Sequence, residues 1–285
     1  MEAAATAWWI WPLALFAVSF AIGIVAVLAG IGGGVLFVPI VAGFFPFHLD
    51  FVRAAGLLVA LSGALSASPR LLQGGLASLP LGLPLALVGS ITAIAGASLS
   101  FALPADALQA ALGVTILAAV ALMWRRPAGA APSIRPDAIS EALRLHGVFH
   151  DPASGQDTVW RAQRTPAGLA AFALIGFIAG MFGLGAGWAN VPVLTLLMGV
   201  PLKLAVGTSG FILSVIDTAA AWVYLHRGAV LPMLVVPSII GVMLGAKLGV
   251  RALARAPARI VRRAVLVLLL LAAFRALGRG FGLWT

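Results

Sequence analysis

The sequence predicts an all-α, polytopic membrane protein built from two homologous repeats of five helices each. Three observations carry that reading. The 285 residues are 62% hydrophobic and only 9% charged. Apolar segments follow one another along the chain and break at glycines. Four glycine-centred motifs of the first half recur, in order, in the second. A soluble domain carries about 25% charged residues, so this composition leaves too little polar surface to face water. It excludes a secreted or cytosolic enzyme, a nucleic-acid module and a disordered chain. The net charge of +10 resides in basic residues between apolar runs, which is how a membrane protein is oriented. The chain has no cysteine, which removes disulfides, thiolate metal sites and Cys nucleophiles.

The first apolar segment covers residues 8–29. Residues 1–29 hold no Lys or Arg, so the basic start of a signal peptide is missing. Trp8, Trp9 and Trp11 suit an interfacial anchor, and the segment is expected to be retained as a span. Further segments follow at 34–46, 53–73, 79–101 and 105–124, then at 167–182, 187–199, 204–225, 229–250 and 258–280. A spanning helix needs about 20 residues, yet 34–46 and 187–199 have only 13. Between the two groups, residues 125–165 hold 10 of the 26 charges, and Pro132, Pro136, Pro152, Ser154 and Gly155 mark that stretch as a loop. The expected units are a first transmembrane repeat (1–124), a polar linker (125–165) and a second repeat (166–285).

The repeat is read directly. Gly30-Ile31-Gly32-Gly33-Gly34 with Val38-Pro39 recurs as Gly183-Leu184-Gly185-Ala186-Gly187 with Val191-Pro192, an offset of 153. Arg53-Ala54-Ala55-Gly56 matches Leu204-Ala205-Val206-Gly207, Gln73-Gly74-Gly75 matches His226-Arg227-Gly228, and Gly96-Ala97-Ser98-Leu99 matches Gly245-Ala246-Lys247-Leu248. Six Arg in the linker and five in 251–263 place both stretches in the cytoplasm by the positive-inside rule. An even number of crossings must then separate them. Four crossings do so, which makes each half odd-numbered and the halves inverted, with both termini outside. If instead the 13-residue pieces turn back, each half has four spans and the repeats are parallel. Short, glycine-interrupted helices in inverted repeats are the pattern of secondary transporters.

The doubled G-x-G-G-G-x-x-x-x-P element, Ala205-Val206-Gly207-Thr208-Ser209, the G-A-x-L element and the central linker with Leu145–Pro152 resemble the sulfite exporter TauE/SafE family of anion permeases. The resemblance covers roughly 15–260 by order of motifs. It implies transport of sulfite or a small organosulfonate such as sulfoacetate across the bacterial inner (plasma) membrane, by a multi-pass protein with no cofactor. Its partners are a small anion and the lipid bilayer, not nucleic acid; a homodimer is a candidate assembly. Two departures stand out. Leu57-Leu58 occupy the place of a family Thr-Ser, and Ala186 replaces the middle glycine of the second elbow, so the implied site is asymmetric.

An oxyanion needs hydrogen-bond donors that the bilayer lacks. A glycine elbow opening a short helix bares backbone N–H groups at a positive helix end. Gly32, Gly33 and Gly34, with Gly185 and Gly187, are therefore expected to bind substrate if the elbows dip toward the midplane. Trp188, Asn190, Thr208 and Ser209 are the polar side chains expected nearby; packing is the alternative for Trp188, and self-bonding to the helix backbone for Thr208 and Ser209. Arg53 and Lys203, at corresponding helix entrances, are candidate charges at the two mouths, with snorkelling as the alternative. Asp217, deep in its segment, is a candidate proton carrier, with a neutral, hydrogen-bonded acid as the alternative.

No metal site is expected: His146 and His150 lack a third ligand and fall in the linker loop. An intramembrane enzyme lacks H-E-x-x-H and a second acid to pair with Asp217. A passive channel remains a rival that only flux separates. Export of a monoanion from a negative interior gains about 2.3 kcal/mol per 100 mV, and the scarcity of intramembrane carboxylates favours uncoupled or weakly coupled export.

Overall fold

In chain order the computed structural model runs Ile10–Ala29 (α1), Gly34–Phe44 (α2), Leu49–Gln73 (α3), Leu79–Ser100 (α4), Ala105–Trp124 (α5) and a short Ala138–Ala142 (α6). Two strands follow, His146–Asp151 (β1) and Gln156–Arg161 (β2), then Thr165–Phe182 (α7), Gly187–Pro192 (α8) continued by a wider π turn at Val193–Leu197, Leu202–His226 (α9) and Pro232–Leu253 (α10). The structure describes residues 9–29, 32–73, 75–124, 137–151, 156–253 and scattered positions within 270–281. Trp8, Gly30, Ile31 and nearly all of the expected last segment, 258–280, lie outside the described residues, as do the side chains of Arg70 and Trp188. Among described residues, four helices are long and apolar enough to cross a membrane, within α3, α4, α7 and α9. This is a multi-pass membrane protein.

Helix starts follow local chemistry. Ser78 caps α4 by accepting from the Leu81 N–H at 3.4 Å, and Pro80 fills the first turn, where no N–H is needed. Helix α3 begins at Leu49, four residues before the apolar run, with Asp50 in its first turn against the positive helix end. The linker corrects the expected loop: β1 and β2 form an antiparallel hairpin, with Val148 opposite Val159 and His150 opposite Asp157. Alternation explains it, since Phe149 and Trp160 are buried while Val148 and Val159 face out.

The hairpin marks one end of the helix bundle. A cavity of about 400 Å³ there is lined by Leu72, Ser78, Phe149, Trp160 and Leu204 among others, so the end of α3, the start of α4 and the start of α9 meet at the hairpin. The Gln163 N–H donates to the Met198 carbonyl at 3.0 Å, which brings the start of α7 and the end of the π turn to the same place. The opposite end holds the Arg53 side chain, which meets the Met181 carbonyl at the end of α7 and the Tyr224 ring near the end of α9. Trp11 packs on Phe45 and Phe47, joining the start of α1 to the end of α2.

Close packing pairs helices from different halves. In the α1–α10 pair, Gly245 lies against the Phe20 carbonyl and Gly241 against the Phe16 carbonyl. In the α4–α7 pair, Gly176 lies against the Gly89 carbonyl and Gly180 against the Ala93 carbonyl. Both pairs run parallel, because residue numbers rise together along each contact. Any Cβ at these glycines would collide with backbone, so small residues set the approach. Helices α3 and α9 pack between the pairs and run in opposite directions.

Candidate functional site

The two short helices start inside the bundle. Gly183 lies against the Arg53 backbone, while a Cβ added at Gly185 would lie 2.7 Å from the Ala60 Cβ. From Arg53 to Ala60 α3 rises about 10 Å, so the second elbow dips that far from the Arg53 end. The first elbow returns similarly: Gly33 faces Val59 and Val242 at 3.4 and 3.2 Å from an added Cβ, with Ile22 of α1 also in reach. Gly32 faces Leu213 of α9. Ala60 lies 11 residues from the start of α3 and Leu213 lies 11 from the start of α9. Both elbows therefore reach the middle of the two central helices.

There they meet one another. An added Cβ at Gly32 would lie 3.8 Å from the Gly187 Cα, and one at Gly34 would lie 2.5 Å from the Leu184 carbonyl oxygen. Gly32 (φ +78°) and Gly185 (φ +71°) occupy the left-handed region, which suits glycine and strains other residues. The first α2 bonds run from Leu36 and Phe37 back to the Gly33 carbonyl at 3.3 and 3.0 Å, leaving the preceding N–H groups of the turn without intrahelical acceptors. Gly33, Gly34, Ala186 and Gly187 are buried.

Two polar side chains stand at the second elbow's helices. Asn190, on α8, is 0% exposed, and among described residues neither its Nδ2 nor its Oδ1 has a hydrogen-bond partner. A buried amide left unpaired costs about 1–3 kcal/mol, which calls for a role outside packing. Asp217, on α9, is also fully buried, and its Oδ2 would lie 3.0 Å from a Cβ at Gly185. The Ala186 N–H is directed toward that carboxyl but falls short of hydrogen-bond geometry, and both oxygens lack a partner among described residues.

Thr208, Lys203 and Arg53 fall elsewhere. Thr208 is buried at the hairpin end, where its Oγ1 accepts from the Ser78 N–H at 3.0 Å; it closes the start of α4 onto α9. Ser209 is buried one turn before Leu213, on the side of α9 that Gly32 meets. Lys203 is exposed at the hairpin end. Arg53 is not an exposed mouth charge, since its side chain is 1% exposed. Because α3 starts earlier than expected, Arg53 lies a full turn inside the helix. It pairs with Asp50, donates to the Met181 carbonyl at 3.2 Å and lies over the rings of Phe101 and Tyr224 at 5.7 and 5.8 Å. Tyr224 in turn donates to the Gly180 carbonyl at 2.9 Å and meets Ser100 at 3.2 Å. Asp50 and Tyr224 went unassigned by sequence, although the Asp50–Arg53 spacing of three is a helical pairing signal. His150 bonds Asp157 at 2.7 Å across the hairpin, both side chains exposed, and no cluster of three metal-ligand side chains occurs among described residues.

The two helix starts thus meet in a buried, glycine-lined place, where backbone N–H groups and positive helix ends are the features that attract anions. Comparison with known proteins agrees in kind: the model of the family described as Sulfite exporter TauE/SafE matches residues 15–276. No curated protein and no solved structure gives a significant match.

Proposed function

The chain belongs to the Sulfite exporter TauE/SafE family, and from that premise we propose that it is a permease exporting sulfite or a small organosulfonate across the bacterial inner membrane. The observation that carries the reading is the meeting of the elbows at Gly32–Gly34 and Gly185–Gly187, midway along α3 and α9, beside the unpartnered amide of Asn190. Backbone N–H groups at the two helix starts and the Asn190 amide supply donors to the anion's oxygens, and the starts of the helices supply positive potential. Trp188 belongs to the same proposed site by position in the chain. The residues bind and release an anion without breaking a bond, so the protein is read as a carrier and not an enzyme.

Access is alternating in this proposal. With Asn190 and Asp217 fully buried, an anion reaches the elbows only when helices part. Inverted repeats give that motion its two-way character. The reading is supported by the antiparallel course of α3 and α9 and by the equivalence of the α1–α10 and α4–α7 pairs on exchanging halves. The proposed units are 1–124, the cytoplasmic linker 125–165, and 166–285, with both termini periplasmic. Protein in liposomes should take up sulfite, sulfoacetate, isethionate or taurine with saturation and counterflow. Linear, non-saturating flux without counterflow would make it a channel.

A further inference from the structure

We propose that Asp217 is a proton site linked to the anion at the elbows, so that the carrier moves one proton with each monoanion. The inference rests on the elbow reading above. Asp217 follows Leu213 by four residues, about one helical turn, so it shares the face of α9 that Gly32 meets. Its Oδ2 reaches toward Gly185, its two oxygens have no partner of hydrogen-bond geometry among described residues, and it is fully buried.

The elements packed on α9 bring little charge to it. From α3 come Asp50, Arg53 and Arg70; Arg53 is paired with Asp50 at the level of Tyr224, about two turns away, and Arg70 belongs to the hairpin end of α3. Helices α4, α7 and α8 and the π turn carry no Asp, Glu, His, Lys or Arg. On α9 itself, Lys203 and His226 stand at the two ends, and Tyr224 is held by Gly180 and Ser100. Among described residues no cation therefore separates the carboxyl from the elbows. A carboxylate and a substrate anion placed together oppose each other's charge.

The cycle balances simply. A proton joins the Asp217 carboxylate, giving an acid whose O–H can donate to an anion oxygen. The anion binds at the elbows, the helices part toward the other side, the anion leaves, and the O–H gives up its proton there. No bond in the substrate changes, and a proton and a monoanion together carry no net charge. In this proposal the membrane potential no longer drives the anion outward, because the pair carries no charge; the gradients of anion and proton set the direction, in place of the uncoupled export that the scarcity of acids alone suggests.

The test uses the full chain in proteoliposomes with isethionate, a monoanion across the working pH range, and in parallel with sulfite kept acidic enough to be the bisulfite monoanion. Whichever is carried, wild type should take up about one proton per anion, and an imposed potential at equal pH should drive no net flux. Asp217→Asn should lose the proton uptake and respond to potential; Asp217→Glu should keep both wild-type properties. Potential-driven flux without proton uptake in wild type and Asp217→Glu alike would overturn the proposal and leave the anion reading standing, even if Asp217→Asn failed to fold. Absence of flux for both anions would instead remove the anion reading.

Discussion

The Ser78 N–H donates to Thr208 Oγ1 across a 3.0 Å bond that joins the start of α4, in the first half of the chain, to α9 in the second. This hydroxyl serves the architecture. Thr208→Val keeps shape but leaves the amide without its acceptor, which should lower stability by about 1 kcal/mol. A lower thermal midpoint in detergent with an unchanged KM for the anion is the expected result, and a raised KM at an unchanged midpoint would put Thr208 in the site.

The elbow contacts predict that even one methyl group is too much at Gly34, where it would lie 2.5 Å from the Leu184 carbonyl. Gly34→Ala should abolish flux. Gly63→Ala, on α3 with open space around it, should transport normally and gain up to about 1 kcal/mol in helix propensity. Equal flux in both variants would show that the elbows need not meet.

Asn190 should trade stability for function. Replacing its unpaired amide by the apolar Asn190→Leu removes a desolvation cost of about 1–3 kcal/mol, so the anion-free protein should melt higher while flux falls sharply. Calorimetry and uptake on the same preparation decide it; a lower midpoint would mean the amide has a partner that matters.

The hairpin's attachment should weaken in acid. Burial raises the Asp137 carboxyl, but the N–H groups of Thr165 and Ser140 outweigh it and hold the group below the ordinary carboxylate range. Its stabilising contribution is thus complete above the unfolded value of about 4 and disappears as pH falls through the folded one. Hydrogen exchange over 138–165 should rise at low pH, and Asp137→Ala, costing about 1 kcal/mol as a lost cap, should raise it at neutral pH too.

Topology is testable directly because the chain has no native cysteine. Single cysteines at Gly75, Val148 and Lys203 should all label from the cytoplasm, and ones at His48, Ala102 and Arg227 from the periplasm. Cytoplasmic labelling at Arg227 would break the inverted arrangement.

Apolar segments and the doubled elbows were readable because hydropathy and glycine spacing act locally, and α2 and α8 begin where the glycines place them. The meeting of Gly32 with Gly187 depends on how α3 and α9 cross, which no window of sequence contains. Arg53 was misplaced for a related reason: its burial depends on Tyr224 and Phe101, more than a hundred and nearly fifty residues away. The hairpin was hidden behind its turn residues, although Val148-Phe149 and Thr158-Val159-Trp160 are β-branched and aromatic runs of the kind that strands favour.

The glycine contacts of α1 with α10 and of α4 with α7 mean that neither half of this chain packs by itself. Each tight pair takes one helix from either half, so a cut in the linker would yield two fragments whose glycine-faced helices both lack their mates. Each fragment alone would open those faces to lipid, and only co-assembly would close them. In the alternating-access cycle proposed above, each tightly packed body would then combine one helix from either half, with the boundary between the halves running through its inside.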